Sequence, residues 1–278
     1  MNKIIKSKIT RDYINTQGGQ IHIRKSGVPK TDKRPLLCFH LSPVSGIIYE
    51  AWLEELGNDR LTIAPDTPGY GMSDSSTAQP TISDYAASMA ELLDSMSIQE
   101  ADLMGYHTGS RICVELARQQ PDKIKNLILI SAPLYNEQEV EQYKADYGKP
   151  ATVMEDGSHL IKLWKGMWKW RGPQQTAEDL MKMFPDHIQG GNKKHWGHMA
   201  AQGYSYEKYI TKIKKPILVL NTNDDLFEYT KRIRQYLANG KVLELKNWGH
   251  GFLDYHTLEA AQIVRQFVDK GVWPTDAK

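Results

Sequence analysis

The stretch DLMGYHTGSRICVELA, residues 102 to 117, limits the folds open to this chain more than any other segment. Its first half is an apolar run that enters a Gly-x-x-x-Gly turn. Its second half repeats apolar residues with helical spacing. The stretch therefore predicts a buried strand that turns sharply into an amphipathic helix, with His107 at the centre of the turn.

The same alternation of strand and helix extends over most of the 278 residues. An opening hairpin turned at Gly18-Gly19 precedes a short buried strand at 35–40. A helix is predicted over 81–98, with Ser83 as its N-cap. Such an alternation indicates parallel strands whose crossover helices cover both faces of a sheet.

The pattern changes between about 135 and 210, where helical segments rich in Trp, Met, Lys and Tyr follow one another without a convincing strand. The strand–helix alternation then resumes to the end of the sequence. We therefore predict one α/β core formed by residues 1–134 and 211–278, interrupted by a helical lid, or cap, over 135–210.

Composition excludes several classes of partner. Apolar residues make up 40% and charged residues 24% of the chain, which is typical of globular proteins. The net charge of +2 gives no reason to expect nucleic acid or an anionic membrane. No run approaches the roughly 18 apolar residues of a membrane span, and the basic opening is too polar for a signal peptide. We expect a cytoplasmic protein with a small-molecule substrate; its oligomeric state stays open.

Polar residues that follow the predicted strands are the candidates for chemistry, because ligands of an open parallel sheet bind at the carboxyl ends of its strands. They are His40, Ser42, Asp66, His107, Asp225 and His250. Three of these follow the chain order of a hydrolase triad: a turn residue, an acid and a histidine.

Five motifs in the correct order make the sequence resemble the α/β-hydrolase fold family, particularly its lidded members. The motifs are FHLSPVSG, APDTPGYGMSD, GYHTG, PILVLNTNDD and NWGHGFLDYH. The resemblance implies an α/β-hydrolase fold, that is, a mostly parallel sheet flanked by helices, with a helical lid insertion. It also implies a nucleophile elbow at GYHTG.

The resemblance assigns roles to individual residues. Asp225 is expected to orient His250, the general base, although a one-residue slip in the alignment would exchange Asp225 with Asp224. The backbone N–H groups of Ser42 and Thr108 are expected to form the oxyanion hole.

His107 departs from the family, because many enzymes with this turn present a serine there. Neutral imidazole has a lone pair available near pH 7 and needs no neighbouring base. It could attack an activated acyl carbon, act as a base or hydrogen-bond donor without forming a covalent adduct, or bind a divalent metal together with His250 and Asp225, with His40 close. We favour catalysis by the two histidines and expect neither a metal nor a cofactor.

The two imidazoles also predict a pH dependence. Both cannot comfortably carry a proton when they are close together, so their titrations should be coupled. Asp225 should favour the charge on His250 and leave His107 neutral. Activity is then expected to fall on acidification through the histidine range.

Four side chains are candidates for substrate contact: His40, Tyr106, Trp164 and Trp168. The two tryptophans are four apart, on one helical face of the lid, and favour an apolar substrate. The sequence thus predicts a hydrolase for a small, largely apolar carbonyl compound, ester-like or cleaved at a C–C bond. The alternatives are a cofactor-free lyase or other proton-transfer enzyme, and a non-catalytic ligand-binding protein.

Overall fold

An eight-stranded sheet forms the centre of the molecule in the computed structural model, which describes residues 7–275. The strands are β1 (Thr10–Thr16), β2 (Gly19–Ser26), β3 (Leu36–Phe39), β4 (Thr62–Pro65), β5 (Ala101–Tyr106), β6 (Ile124–Ile130), β7 (Ile217–Thr222) and β8 (Gly240–Leu245). They lie in the order β1-β2-β4-β3-β5-β6-β7-β8. β2 pairs antiparallel with β1 and with β4, and the other neighbours are parallel. The predicted hairpin and the mostly parallel sheet are confirmed.

Helices flank this sheet. They are α1 (Glu50–Leu56), α2 (Ile82–Ser95), α3 (Thr108–Gln119), α4 (Glu137–Tyr147), α5 (Ser158–Trp170), α6 (Ala177–Gln189), α7 (Trp196–Gln202), α8 (Tyr206–Ile210), α9 (Phe227–Lys231), α10 (Phe252–Tyr255) and α11 (Thr257–Lys270). Within residues 7–275, none of them has both the length and the apolar character needed to cross a membrane.

Alternate side chains of each central strand enter different cores. In β3, Leu37 and Phe39 pack in the cluster that includes α2 and α3, whereas Leu36 and Cys38 pack in the cluster that includes α1 and α11. All four side chains are fully buried. A strand buried on both faces is therefore continuously apolar, which is why the sequence pattern identified it.

The start of α2 differs from the prediction. Thr81, and not Ser83, is the N-cap: its hydroxyl accepts from the Asp84 backbone N–H, while the Asp84 carboxylate accepts from the Thr81 N–H at 2.8 Å. This reciprocal arrangement is a capping box, which satisfies two backbone donors at once and so fixes the helix start two residues earlier.

Helices α4 to α8 lie between β6 and β7, and the described residues there contain no strand. We call residues 135–210 the cap segment. Its helix α7 contacts α2 and α3, and α8 contacts α3. The boundaries of this segment, and its action as a lid, stay predictions.

Candidate active site

A strained turn places His107 between the sheet and α3. β5 ends at Tyr106 and α3 begins at Thr108, so His107 alone makes the turn, with φ 47° and ψ −107°. A Cβ at Gly105 would lie 2.2 Å from the Gly109 carbonyl oxygen, and one at Gly109 would lie 2.1 Å from the Phe39 carbonyl oxygen. The two glycines therefore permit the close approach of strand and helix that this turn requires.

The imidazole of His107 contacts a fully buried carboxylate. Its Nε2 lies 3.2 Å from Asp224 Oδ2, and the Asp224 side chain is 0% exposed. Oδ2 also accepts from the Ser131 hydroxyl at 2.6 Å and the Thr222 hydroxyl at 3.1 Å, and Oδ1 accepts from the Leu226 N–H at 2.9 Å. Burial alone would raise the pKa of Asp224, but the hydrogen bond and charge of His107 lower it below its ordinary value. Asp224 is therefore an anion at neutral pH.

A second histidine–aspartate pair lies beside the first. His250 Nε2 is 3.1 Å from Asp225 Oδ1, and the centroids of the two imidazole rings are 6.0 Å apart. Burial alone would lower the pKa of His250, but the hydrogen bond to Asp225 and the charges of both aspartates raise it. The Tyr106 hydroxyl lies between the pairs, 3.4 Å from Asp224 Oδ2 and 3.4 Å from His250 Nδ1.

The structure thus brings His107, Asp225 and His250 together, but it gives His107 an acid that the sequence prediction did not assign. We expected Asp225 to serve His250 and the charge to stay on His250. Asp225 contacts His250 as expected, and Asp224 adds a carboxylate at His107; the charge on His250 stays a prediction. The only sequence signal for this pair was the adjacency of the two aspartates.

Ser42 and Thr108 are both almost completely buried. Thr108 is the first residue of α3, so its N–H has no acceptor within the helix and can donate to a ligand. The assignment of these two N–H groups to an oxyanion hole stays a prediction.

His40 is buried and does not line the cavity beside His250, contrary to its prediction as a substrate-binding residue. It is 1% exposed, its Nδ1 lies 2.8 Å from the Leu41 carbonyl oxygen, and its Nε2 accepts from the Thr67 backbone N–H at 3.0 Å. Burial lowers the pKa of His40, which keeps it neutral. Its ring therefore joins the loops after β3 and β4.

A largely apolar cavity of about 150 Å³ opens beside the histidines. Its lining consists of Leu41, Val44, Ile48, Tyr106, Met167, Trp170, Arg171, Gln175, Leu180, Met183, His187, His250, Gly251, Leu253 and Asp254. His107 is not among these lining residues. The predicted contact of Tyr106 with this space is present. His187, from the cap segment, has a pKa lowered to about 4 by burial and by the charge of Lys194, so it faces the cavity as a neutral group.

The prediction that Trp164 and Trp168 line the substrate cavity is wrong, because a neighbouring face of α5 meets the cavity. Trp164 packs edge-on against Phe184, with ring centroids 5.8 Å apart. Trp168 is 41% exposed and has the Arg171 guanidinium 3.8 Å above its ring. The cavity is lined instead by Met167 and Trp170, which are three apart on the neighbouring face of α5. Spacing identified an apolar stripe, but not the face that meets the core.

A metal would have to bind groups that are already hydrogen-bonded. His107, Asp224 and Asp225 each offer a ligand atom within 4.8 Å of the others. However, the Asp224 oxygens accept from two hydroxyls and one backbone N–H. A cation there would compete with these donors, so the set fits two histidine–aspartate pairs better than a metal site.

Comparison with known proteins identifies related sequences and folds. A family model described as alpha/beta hydrolase fold matches residues 34–257. The bifunctional esterase/perhydrolase DCH of Acinetobacter calcoaceticus is 24% identical over 263 residues, which cover 86% of this chain and 92% of the relative. The 2-hydroxymuconate semialdehyde hydrolase of a Pseudomonas species is 30% identical over 102 residues, 35% of this chain and 36% of the relative.

Further matches differ in how much of each chain they cover. Uncharacterized proteins of Mycobacterium bovis and Mycobacterium tuberculosis are 36% identical over 70 residues, so the match spans 20% of their length. An esterase from Exiguobacterium antarcticum has a similar structure, with a TM-score of 0.77 at 16% identity over 93% of this chain and 99% of that chain. At this identity the structural likeness concerns the fold alone.

Proposed function

This chain belongs to the alpha/beta hydrolase fold family, and we propose that it is a hydrolase for a small, largely apolar carbonyl substrate, ester-like or cleaved at a C–C bond. His107 occupies the nucleophile position, and the pair of His250 and Asp225 serves as the base. The observation that carries the proposal is the contact of His107 at the strained turn with the buried Asp224. The centroid of the His107 ring lies 6.0 Å from that of His250, which lines the largely apolar cavity.

The contact with Asp224 selects the reactive nitrogen of His107. An ionised carboxylate only accepts hydrogen bonds, so the imidazole proton is assigned to Nε2 and the lone pair to Nδ1. Nδ1 can attack an acyl carbon while the bond to the leaving group breaks; the ring keeps its Nε2 proton, so the acyl-imidazole forms as a cation. The departing alkoxide takes a proton from water, and the proton that His250 removes from the second water restores the balance. Asp224 stabilises the positive charge that develops on the ring. The acyl-imidazole is labile, so water can hydrolyse it without a strong base.

His250 has the properties required for the second step. It lines the same cavity and is oriented by Asp225. In its neutral form it takes a proton from the attacking water, and the acyl group then leaves His107 as the acid product. The N–H groups of Thr108 and Ser42 would stabilise the oxyanion, and the cap segment would exclude bulk water.

The relatives support hydrolytic chemistry. The matched proteins with named activities include an esterase/perhydrolase and a semialdehyde hydrolase. The apolar lining of the cavity supports a substrate with little charge.

A second candidate function is cofactor-free proton transfer or C–C cleavage by a lyase mechanism. The observation that favours it is the presence of two adjacent histidine–aspartate pairs joined through the Tyr106 hydroxyl. One imidazole can then remove a proton while the other donates one, with no covalent intermediate.

Turnover of a panel of short-chain activated esters tests the proposal, with metal-stripped wild-type protein and His107→Ala. We expect wild-type catalysis well above that of free imidazole, and a loss of about 10²–10⁴-fold in kcat/KM in the variant. His159→Ala makes the same change in α5, outside the described cavities, and should retain wild-type activity.

Other outcomes separate the alternatives. Ester turnover no faster than free imidazole in both proteins would contradict the esterase proposal. Conversion of substrates with an acidic C–H or a retro-aldol bond would then support the lyase. Ligand-induced thermal stabilisation without any product would indicate a binding protein. Activity that depends on added metal would support the metal site over the paired histidines.

A further inference from the structure

A second cavity shares no lining residue with the cavity beside His250. It has a volume of about 510 Å³ and opens between the end of β6, helix α3 and the cap helices α7 and α8. Four tyrosines contribute to its walls: Tyr135, Tyr204, Tyr206 and Tyr236.

A buried and incompletely paired arginine lines this cavity. Arg111 is 4% exposed, and its Nη2 donates to the Pro133 carbonyl oxygen at 3.2 Å. Its Nε has no hydrogen-bond partner, and no carboxylate within residues 7–275 forms an ion pair with it. The guanidinium stacks 4.8 Å above the Tyr206 ring.

A cation in this environment is costly unless an anion joins it. A buried charge loses its hydration, and a carbonyl and an aromatic face replace only part of it. Even Arg118 on the same helix, whose side chain is 41% exposed, pairs with the buried Glu115 carboxylate at 2.5 and 2.8 Å. Among the described residues, Arg111 has no such ion pair. It faces a cavity whose wall also includes Lys208 and Glu207, the latter hydrogen-bonded to Tyr236.

We propose that this cavity is a second binding site, which takes a small organic acid through its carboxylate and Arg111. A planar guanidinium binds a carboxylate through two parallel hydrogen bonds. The tyrosine walls, together with Leu134 and Val140, suit an aromatic or other apolar body attached to that carboxylate. This proposal does not depend on the function proposed for the histidine pairs.

The site is connected to the elbow by hydrogen bonds. The Tyr206 hydroxyl, from the ring beneath Arg111, donates to Ser110 Oγ at 3.2 Å. Ser110 Oγ donates to the His107 carbonyl oxygen at 2.6 Å. A ligand at Arg111 would contact Tyr206, which is linked to His107 through Ser110.

Binding is tested by calorimetric titration and thermal unfolding of the full chain with three probes: benzoate, benzyl alcohol and inorganic phosphate. Benzoate carries both charge and ring, benzyl alcohol the ring alone, and phosphate the charge alone. We expect benzoate to bind in the millimolar range or tighter, to raise the melting temperature, and to exceed both other probes. Arg111→Met should weaken benzoate binding by about tenfold or more.

Stability separates a binding arginine from a structural one. Arg111→Met removes an unpaired buried cation and keeps an apolar side chain, so the ligand-free variant should melt at or above the wild-type temperature. Arg118→Met, seven residues along the same helix, removes the cationic partner of Glu115, which keeps its hydrogen bonds from Gln119 and Tyr204. This variant should melt lower, with benzoate affinity within about twofold of wild type. Arg111→Lys retains the charge and should bind benzoate with intermediate affinity.

Several results would overturn the proposal. Equal benzoate affinity in wild type and Arg111→Met would place the probe elsewhere, and no measurable binding to wild type would leave the cavity without an organic-acid ligand. Phosphate binding as tight as benzoate would assign the site to an inorganic oxyanion instead. A lower melting temperature for Arg111→Met with unchanged benzoate binding would make Arg111 structural.

Discussion

Asp224 and Asp225 are neighbours in the chain, yet their carboxylates contact different imidazoles. The turn after β7 causes this separation: the Asp224 N–H donates to the Thr222 carbonyl oxygen at 2.8 Å, and the Asp224 carboxylate accepts the Leu226 N–H. The Asp224 side chain is fully buried, whereas that of Asp225 is 32% exposed. The buried acid therefore holds His107, and the partly exposed acid holds His250.

Replacing each aspartate by asparagine distinguishes the two roles. Asp224→Asn keeps the shape but removes the charge that orients and stabilises the His107 ring, so kcat should fall by about 10²–10⁴-fold. Asp225→Asn should cause a smaller loss, because His107 keeps its own acid. Steady-state kinetics of the two variants measures this order. A larger loss in Asp225→Asn would show that His250 is the main reacting group and Asp224 a structural acid.

The raised pKa of His250 predicts how activity falls at low pH, which is the acid limb of the pH–activity profile. A base must be neutral, so activity should rise with pH through a value above the ordinary 6.5. Asp225→Asn removes the hydrogen bond and one charge that raise this pKa, and the limb should therefore move to lower pH. Activity measured from pH 5 to 9, with an NMR titration of the histidine rings, checks the shift. A flat wild-type profile between pH 5 and 8 contradicts it.

At the scale of helices and loops, hydrogen bonds of Tyr70 attach the cap segment to the core. The Tyr70 hydroxyl accepts from the Gly197 backbone N–H at 2.6 Å and donates to the Lys194 carbonyl oxygen at 3.1 Å. A Cβ at Gly197 would lie 2.0 Å from Ser42 Oγ. The start of α7 is thus attached to the loop after β4 and lies directly against the loop expected to form the oxyanion hole.

Tyr70→Phe should remove both hydrogen bonds between the Tyr70 hydroxyl and the cap segment. The buried Gly197 N–H would lose its acceptor, which costs about 1–3 kcal/mol of unfolding free energy. Urea unfolding should show a lower midpoint with an unchanged slope. Tyr209→Phe is the control, because the Tyr209 hydroxyl has no hydrogen bond within residues 7–275 and its loss should cost little. Equal midpoints for the two variants would remove Tyr70 as a link between cap and core.

The segment after α5 lies against the loop that carries His250. A Cβ at Gly172 would lie 1.8 Å from the His250 carbonyl oxygen, a contact that requires the backbone to move. Gly172→Ala should therefore cost about 1–3 kcal/mol and displace His250, with reduced activity. Gly166→Ala, inside α5, meets nothing within 4 Å and should gain about 0.5–1 kcal/mol. Urea unfolding and kinetics of both variants measure the contrast; wild-type stability and activity in Gly172→Ala would contradict it.

At the scale of the whole molecule, the spacing of apolar residues predicted the fold, because residues that are buried in a strand or helix must be apolar. Two-sided burial makes β3 continuously apolar, and the turn between β5 and α3 requires glycines at fixed positions. The sequence therefore predicted the order of the core elements. The sequence also predicted that His107, Asp225 and His250 would lie close together, since parallel strands end at one edge of the sheet.

Properties set by three-dimensional packing could not be predicted in this way. Sequence spacing does not determine which face of α5 meets the core, so Met167 replaced the predicted Trp164 and Trp168 at the cavity. The partner of His107 depends on hydrogen bonds within a four-residue turn, where adjacent side chains point apart. The full burial of His40 likewise depends on its contact with Thr67, which is distant in sequence.

The acid stability of the molecule should depend on individual buried carboxylates, since the net charge of +2 makes the overall field weak. Burial alone would raise the pKa of Asp66, Asp224 and Glu115, but hydrogen bonds to His22, His107 and Arg118, respectively, lower it, and Glu115 reaches about 2. Each group then contributes stability that is complete above its ordinary pKa and is lost as the pH falls through the lowered value.

Arg118→Met isolates one of these contributions. The wild type should be more stable than the variant above pH 4.5, the ordinary value for Glu115, because only the wild type pairs the ionised carboxylate. The difference should shrink as the pH falls from 4.5 through about 2, and the acid is neutral in both proteins only below that value. Urea unfolding of both proteins at pH 7, 5, 4 and 3 measures it. A difference that stays constant down to pH 3 would assign the loss to packing of the arginine stem instead of its charge.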